Sequence, residues 1–125
     1  MNDALGVTPC PIFPSTLYSM YLHDDISEFF NNIAEEVDFK TVGDNPHWVT
    51  KFTLLNDYPE MKKLFTDISL QILKEVAGVK KVKVTTSWLT AIEPNATPIM
   101  HRHSNSWFSG VYYFQDLSYS GLEFK

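Results

Sequence analysis

"PIMHRHSNSWFSGVYYF", residues 98–114, sets two histidines one residue apart and follows them, after a polar turn, with an apolar aromatic run. Side chains two apart on an extended chain share a face, so His101 and His103 can converge on one point while Arg102 faces away. Imidazole is the commonest side-chain ligand for divalent first-row metals, which makes the pair a candidate metal site. The alternative is two solvated histidines, since Arg102, Ser104 and Asn105 are all polar. The run after the turn, 109–116, reads as a strand. If it is regular, Ser109 and Tyr113 fall on one face and Tyr112 on the other.

Working backward, "VKVTTSWLTAI" (82–92) alternates Val82, Val84, Thr86, Trp88 and Thr90 against Lys83, Thr85, Ser87, Leu89 and Ala91, the pattern of a half-buried strand. "EPNATP" turns the chain between this strand and the histidines. Before it the period is helical. Met61, Leu64, Phe65, Ile68, Ile72 and Val76 recur at helical spacing over Pro59 to Ala77, with Asp57 and Glu60 as a capping box and Gly78 as the stop. An earlier helix falls in "DDISEFFNNIAEEVDF", with Asp25 and Glu28 as its capping box and Ile26, Phe29, Phe30, Ile33 and Val37 on one face. "TVGDNPHWV" reads as a loop. "TLYSMYL", after Pro9, Pro11 and Pro14, reads as a first strand. Helices followed by strands predict an α+β domain with the helices packed on an antiparallel sheet. The core is expected to take Phe29, Phe30, Ile33, Leu64, Phe65, Ile68 and Ile72.

The chain is short enough to be one domain, residues 1–125, and its 44% hydrophobic and 14% aromatic content suffices for a packed core. A net charge of −5 gives no electrostatic case for nucleic acid or an anionic membrane surface. No run approaches membrane-spanning length. Cys10 is the only cysteine, so an intrachain disulfide is excluded, and the first residues lack the basic and apolar regions of a signal peptide. A soluble, cytoplasmic protein is expected. Nucleophilic catalysis finds no support, because Cys10 lies among prolines and no glycine-flanked serine elbow occurs. A structural zinc site would lack its usual cysteines.

The stretches "SWLTAIEPNATPIMHRHSNSWFSGVYYFQDLSYSGLEF" and "PIFPSTLYSMYL" resemble the 2-oxoglutarate/Fe(II)-dependent oxygenases of phages and bacteria, which carry an H-x-H followed by an S-G-V-Y-Y strand. The resemblance implies a double-stranded β-helix (jelly-roll) core, incomplete within this chain, with two N-terminal helices packed on it. It implies Fe(II) and 2-oxoglutarate as cofactors, O2 as cosubstrate and ascorbate as an auxiliary reductant. His101 matches the first iron ligand. His103 stands where the wider superfamily has aspartate, which removes one negative charge from the site. Tyr113 matches the tyrosine that contacts the distal carboxylate of 2-oxoglutarate, and Ser109 would line the same pocket. Gly121 falls at the turn glycine. Trp107 and Phe108 would flank the iron and touch substrate, or else pack as core aromatics.

The superfamily's distal iron-binding histidine, and the arginine or lysine that pairs with 2-oxoglutarate, lie downstream of anything matched here. His23 and His47 are expected at the surface rather than at the metal. A jelly roll needs about eight strands and about five are countable, so a further segment or another chain is expected to complete the sheet. The rival expectation is a non-catalytic structural or interaction module, such as a virion component on a degenerate oxygenase fold. A third is a metal-binding module without redox chemistry. The family would place the protein in the host cytoplasm or a virion if it is viral. The substrate is not legible.

Overall fold

The computed structural model describes residues 18–41, 47–93, 103 and 106–115. It is a mixed α+β arrangement with two helices and a small antiparallel sheet. Helix α1 spans Asp24–Ala34 and α2 spans Pro59–Ala77. A 3-10 turn, Leu54–Asp57, runs directly into α2. The strands are β1 (Lys40–Thr41), β2 (His47–Val49) and β3 (Thr90–Ile92), in the order β1-β2-β3. Lys40 pairs with Val49 and Thr41 with Trp48; on the other side His47 pairs with Ile92, Trp48 with Ala91 and Val49 with Thr90.

Both helices lie where the apolar spacing puts them, α2 with the expected bounds, but neither is capped as expected. Asp25 is already inside α1, and the cap is His23, whose Nδ1 accepts the Asp25 N–H at 3.1 Å. Asp24 and Asp25 in the first turn complement the helix dipole. In α2, Asp57 belongs to the 3-10 turn. Tyr58 precedes the helix without a side-chain cap, and Pro59 opens it, where the missing N–H is no loss. The far end is as expected. Gly78 adopts φ 64, and the N–H groups of Gly78 and Val79 close on Lys74 and Leu73. The left-handed conformation costs a glycine little and a Cβ-bearing residue more.

The core forms between the helices, the 3-10 turn and the segment leading into β3. Phe30, Ile33, Leu54, Leu55 and Leu89 are buried together, with Phe29, Val37, Tyr58, Met61, Phe65 and Phe114 packed against them. Phe30 is its hub: its ring meets Phe29 at 5.4 Å, Phe114 at 5.6 Å, Tyr112 at 5.8 Å and Phe65 at 5.9 Å. In α2 the buried residue is Leu73, whereas Leu64, Ile68 and Ile72 are half-buried and Val76 is exposed. Exposure runs along Glu60, Lys63, Asp67, Gln71 and Lys74, a strip one residue wide at helical spacing. Pro59 and the last residues, Glu75, Val76 and Ala77, are exposed as well, and the rest of α2 is at least partly covered.

Several strand and loop expectations need correction. Tyr18–Leu22 forms no strand and Tyr21 is fully exposed, because nothing among the described residues pairs with that segment. His47–Val49, expected as part of a loop, is the central strand: it carries both ladders of the sheet. The long strand expected over 82–92 contracts to Thr90–Ile92. From Leu89 upstream the regular ladder gives way to a mixture of backbone and side-chain bonds, with one isolated parallel bridge between Thr53 and Ser87. Thr50 and Leu89 still exchange backbone bonds on one side (Thr50 N–H to Leu89 C=O, 3.1 Å), but the Leu89 N–H goes to Thr50 Oγ1 at 2.9 Å. Ser87 then takes the Leu54 N–H on its carbonyl and the Leu55 N–H on its hydroxyl. Residues 109–115 also lack a ladder, though the alternation within them survives. Tyr112 and Phe114 turn to the core while Val111 and Tyr113 face outward. Asn31 holds this segment to α1, donating to Phe114 C=O at 3.1 Å and accepting from Gln115 Nε2 at 3.2 Å. The proline-rich start, the loop around Gly43, the 94–97 turn, His101 and the Gly121 strand lie outside the described residues.

Candidate functional site

The described part of the site is built on the segment entering β3. Trp88 is bracketed by Ser87 and Leu89, whose backbone bonds to Phe52, Leu54 and Thr50 fix it on both sides. Its half-buried indole meets Phe52 edge-to-face at 5.2 Å and the imidazole of His103 at 5.7 Å with a 43° tilt between planes. His103 itself is exposed. The sequence placed Trp88 on a strand face and left His103 either beside His101 on extended backbone or on a polar loop. The meeting of two rings fifteen residues apart is something residue spacing does not encode.

The other sequence-derived candidates are distributed as follows. Ser109 and Tyr113 are exposed, Tyr113 at 47%, on the side of their segment opposite the Phe30 cluster. Tyr112 lies in that cluster, against Phe30 and Phe65. Trp107 is 74% exposed and Phe108 is also at the surface, so neither is a core aromatic. His101 lies outside the described residues. An open cleft at the start of α2, lined by Phe29, Tyr58, Pro59, Met61 and two carboxylates, Asp57 and Glu60, includes none of these residues.

The remaining histidines separate. His23 is exposed, as expected, and serves as a helix cap. His47 is not a loop residue: it sits on β2, half-buried, with Nε2 buried and without a hydrogen-bond partner. Among the described residues no three of His, Cys, Asp and Glu are grouped to hold a metal ion. Among the described residues the lysine–carboxylate pairs, Lys51 with Asp57 and Lys63 with Asp67, lie at the surface, where such pairs contribute little. Among the described residues no helix is long and apolar enough to cross a membrane.

Comparison of the chain with family models, curated proteins and solved structures finds no match.

Proposed function

We propose that this chain is a non-haem Fe(II), 2-oxoglutarate-dependent dioxygenase of the hydroxylase type, or the N-terminal part of one, on a double-stranded β-helix core. The observation that carries the reading is the H-x-H of His101 and His103 followed by Ser109-Gly110-Val111-Tyr112-Tyr113. It is supported by the placement of His103, an exposed imidazole resting on a braced indole. The donor chemistry fits: neutral imidazoles suit a divalent first-row ion. A bound Fe(II) would supply the redox chemistry by which 2-oxoglutarate, O2 and an aliphatic C–H become succinate, CO2 and an alcohol, one oxygen atom going to succinate and one to the alcohol. His101 and His103 would hold the metal, and the Tyr113 hydroxyl would bind the distal carboxylate of 2-oxoglutarate beside Ser109. Trp107 and Phe108, both at the surface, form an apolar mouth that shields the reacting carbon from water.

Two imidazoles leave most metal positions to water, and on extended backbone Arg102 would face away from both. A missing charge-assisted contact to 2-oxoglutarate weakens its binding by about 1.5–3 kcal/mol per hydrogen bond. The 125 residues alone should therefore bind Fe(II) weakly and form no succinate. The chain extended along its reading frame, with Fe(II) and ascorbate, should form succinate in a His101-dependent manner. An extended chain that binds no Fe(II), or turnover indifferent to His101→Ala, would overturn the reading.

One observation favours a second reading, an interaction module without chemistry. Trp107, Val111 and Tyr113 form an exposed apolar strip on one segment, of the kind that protein partners cover. Under that reading His101→Ala leaves metal affinity unchanged because there is none to lose.

A further inference from the structure

The segment that leads into β3 carries a strand edge with no partner among the described residues, and its upstream end is basic. Ser87 and Leu89 turn their backbone groups toward β2 and the chain that follows it. Ser87 N–H donates to Phe52 C=O at 2.9 Å, Ser87 C=O accepts the Leu54 N–H at 3.0 Å, and Leu89 C=O accepts the Thr50 N–H at 3.1 Å. On extended backbone successive residues address opposite edges, so Val82, Val84 and Thr86 address the outer edge, away from β2. Upstream of Ser87 the neighbouring chain departs, because Leu54–Asp57 coils into the 3-10 turn. Val82 and Val84 stay half-buried while Lys81, Lys83 and Thr85 are exposed, which is the alternation of a strand. Yet among the described residues no backbone bond involves 80–86. Lys80, Lys81 and Lys83 are all exposed and enter none of the described ion pairs.

From this we infer that residues 80–86 are a docking edge for an extended acidic segment of a partner protein, which adds to the sheet as a further strand and sets carboxylates opposite Lys81 and Lys83. A strand edge with unpaired N–H and C=O groups is a template for another chain, and main-chain bonds supply the affinity of such additions. Lysines on the edge decide which chain is accepted. They repel a basic strand and penalise an apolar one, whereas opposite charges across a strand pair attract. Side chains two apart share a face, so the partner carries acidic residues at alternate positions. The residues between them fall on the side of Val82 and Val84 and are apolar. Nucleic acid fits less well: three lysines offer few phosphate contacts, and no arginine or aromatic ring lies between Lys80 and Thr86 to stack on a base. Neither His101 nor His103 takes part.

The probe is an end-capped, fluorescein-labelled peptide that alternates glutamate and valine, titrated with the 125-residue chain and read by anisotropy. It should bind, and bind less tightly as salt rises. Lys81→Ser/Lys83→Ser should weaken binding about two- to thirtyfold, the loss of two exposed ion pairs. Both side chains are exposed, and an unchanged circular dichroism spectrum separates this loss from a loss of fold. Methylating the peptide's edge-facing backbone nitrogens keeps its charge and should abolish binding. Amide hydrogen exchange followed by NMR places the added strand: the N–H groups of Val82, Val84 and Thr86 should become protected, and those of Lys83 and Thr85 should not. A peptide that does not bind, or that binds without protecting these three amides, would overturn the docking edge. Equal affinity for the double lysine variant would overturn the acidic partner, and equal affinity of the methylated peptide would overturn strand addition. A single-stranded thymidine oligonucleotide that binds more tightly than the peptide, and is lost in the same variant, would replace the protein partner with nucleic acid and overturn the proposal.

Discussion

Replacing Phe30 with alanine removes the hub on which four other aromatic rings converge. The side chain is 5% exposed, so almost its whole surface leaves water on folding. Truncation of a buried phenylalanine to alanine costs about 3–5 kcal/mol, the lost transfer energy plus the cavity left behind. The upper end is expected here. Phe29 and Phe65 are fixed to helices and cannot close the gap freely, and Tyr112 and Phe114 are held through the Asn31 bonds to Phe114 and Gln115. Against a total of about 5–15 kcal/mol for an ordinary domain, that is a large fraction. The thermal midpoint should fall by roughly 10–20 °C, at a few degrees per kcal/mol for a chain of this size. Urea denaturation followed by circular dichroism gives the free energy directly, with Trp107→Ala as a surface control expected within about 0.5 kcal/mol of the unsubstituted protein. Phe30→Leu should recover more than half of the loss, since it refills volume without restoring the ring contacts. A Phe30→Ala midpoint within 2 °C of the original, on the order of one tenth of the expected change, would refute the placement of the core at this ring.

Thr50→Val keeps the shape of a residue only 4% exposed but removes the oxygen that takes the Leu89 N–H, and leaving that donor buried and unpaired should cost about 1–3 kcal/mol in urea denaturation. Thr50→Ser should cost less, and equal stability of the Val variant and the original would show that the hydroxyl does not tie β2 to the Trp88 segment. Asn31→Ala releases the side-chain hydrogen bonds described between α1 and residues 114–115, leaving the Phe30–Phe114 ring contact, at a net cost of about 1 kcal/mol. Limited chymotrypsin cleavage at Tyr112, Tyr113 and Phe114 should accelerate while the helical signal is unchanged, and an unaltered cleavage rate would dismiss the clamp.

The amino-acid sequence by itself determined the helices. Helix formation depends on neighbours three and four residues away, so the Phe30 stripe and the Met61 stripe, together with Gly78, were sufficient to place α1 and α2. It also determined the alternation of Tyr112 and Tyr113, which follows from extended backbone alone. The helix caps escaped it, because histidine and a 3-10 turn can satisfy free N–H groups as well as the usual capping side chains do. Only the tertiary structure decided the sheet. A strand exists where a partner offers a ladder, so three residues around Trp48, read as loop, became the centre, while the alternating run from Val82 stopped pairing regularly upstream of Leu89. Thr50, Ser87 and Asn31 gave no signal, since a hydroxyl or an amide on a loop looks the same whether it meets water or a distant backbone group. The contact between Trp88 and His103 is of the same kind. The two rings are fifteen positions apart in sequence, and their meeting at 5.7 Å is a matter of tertiary structure alone.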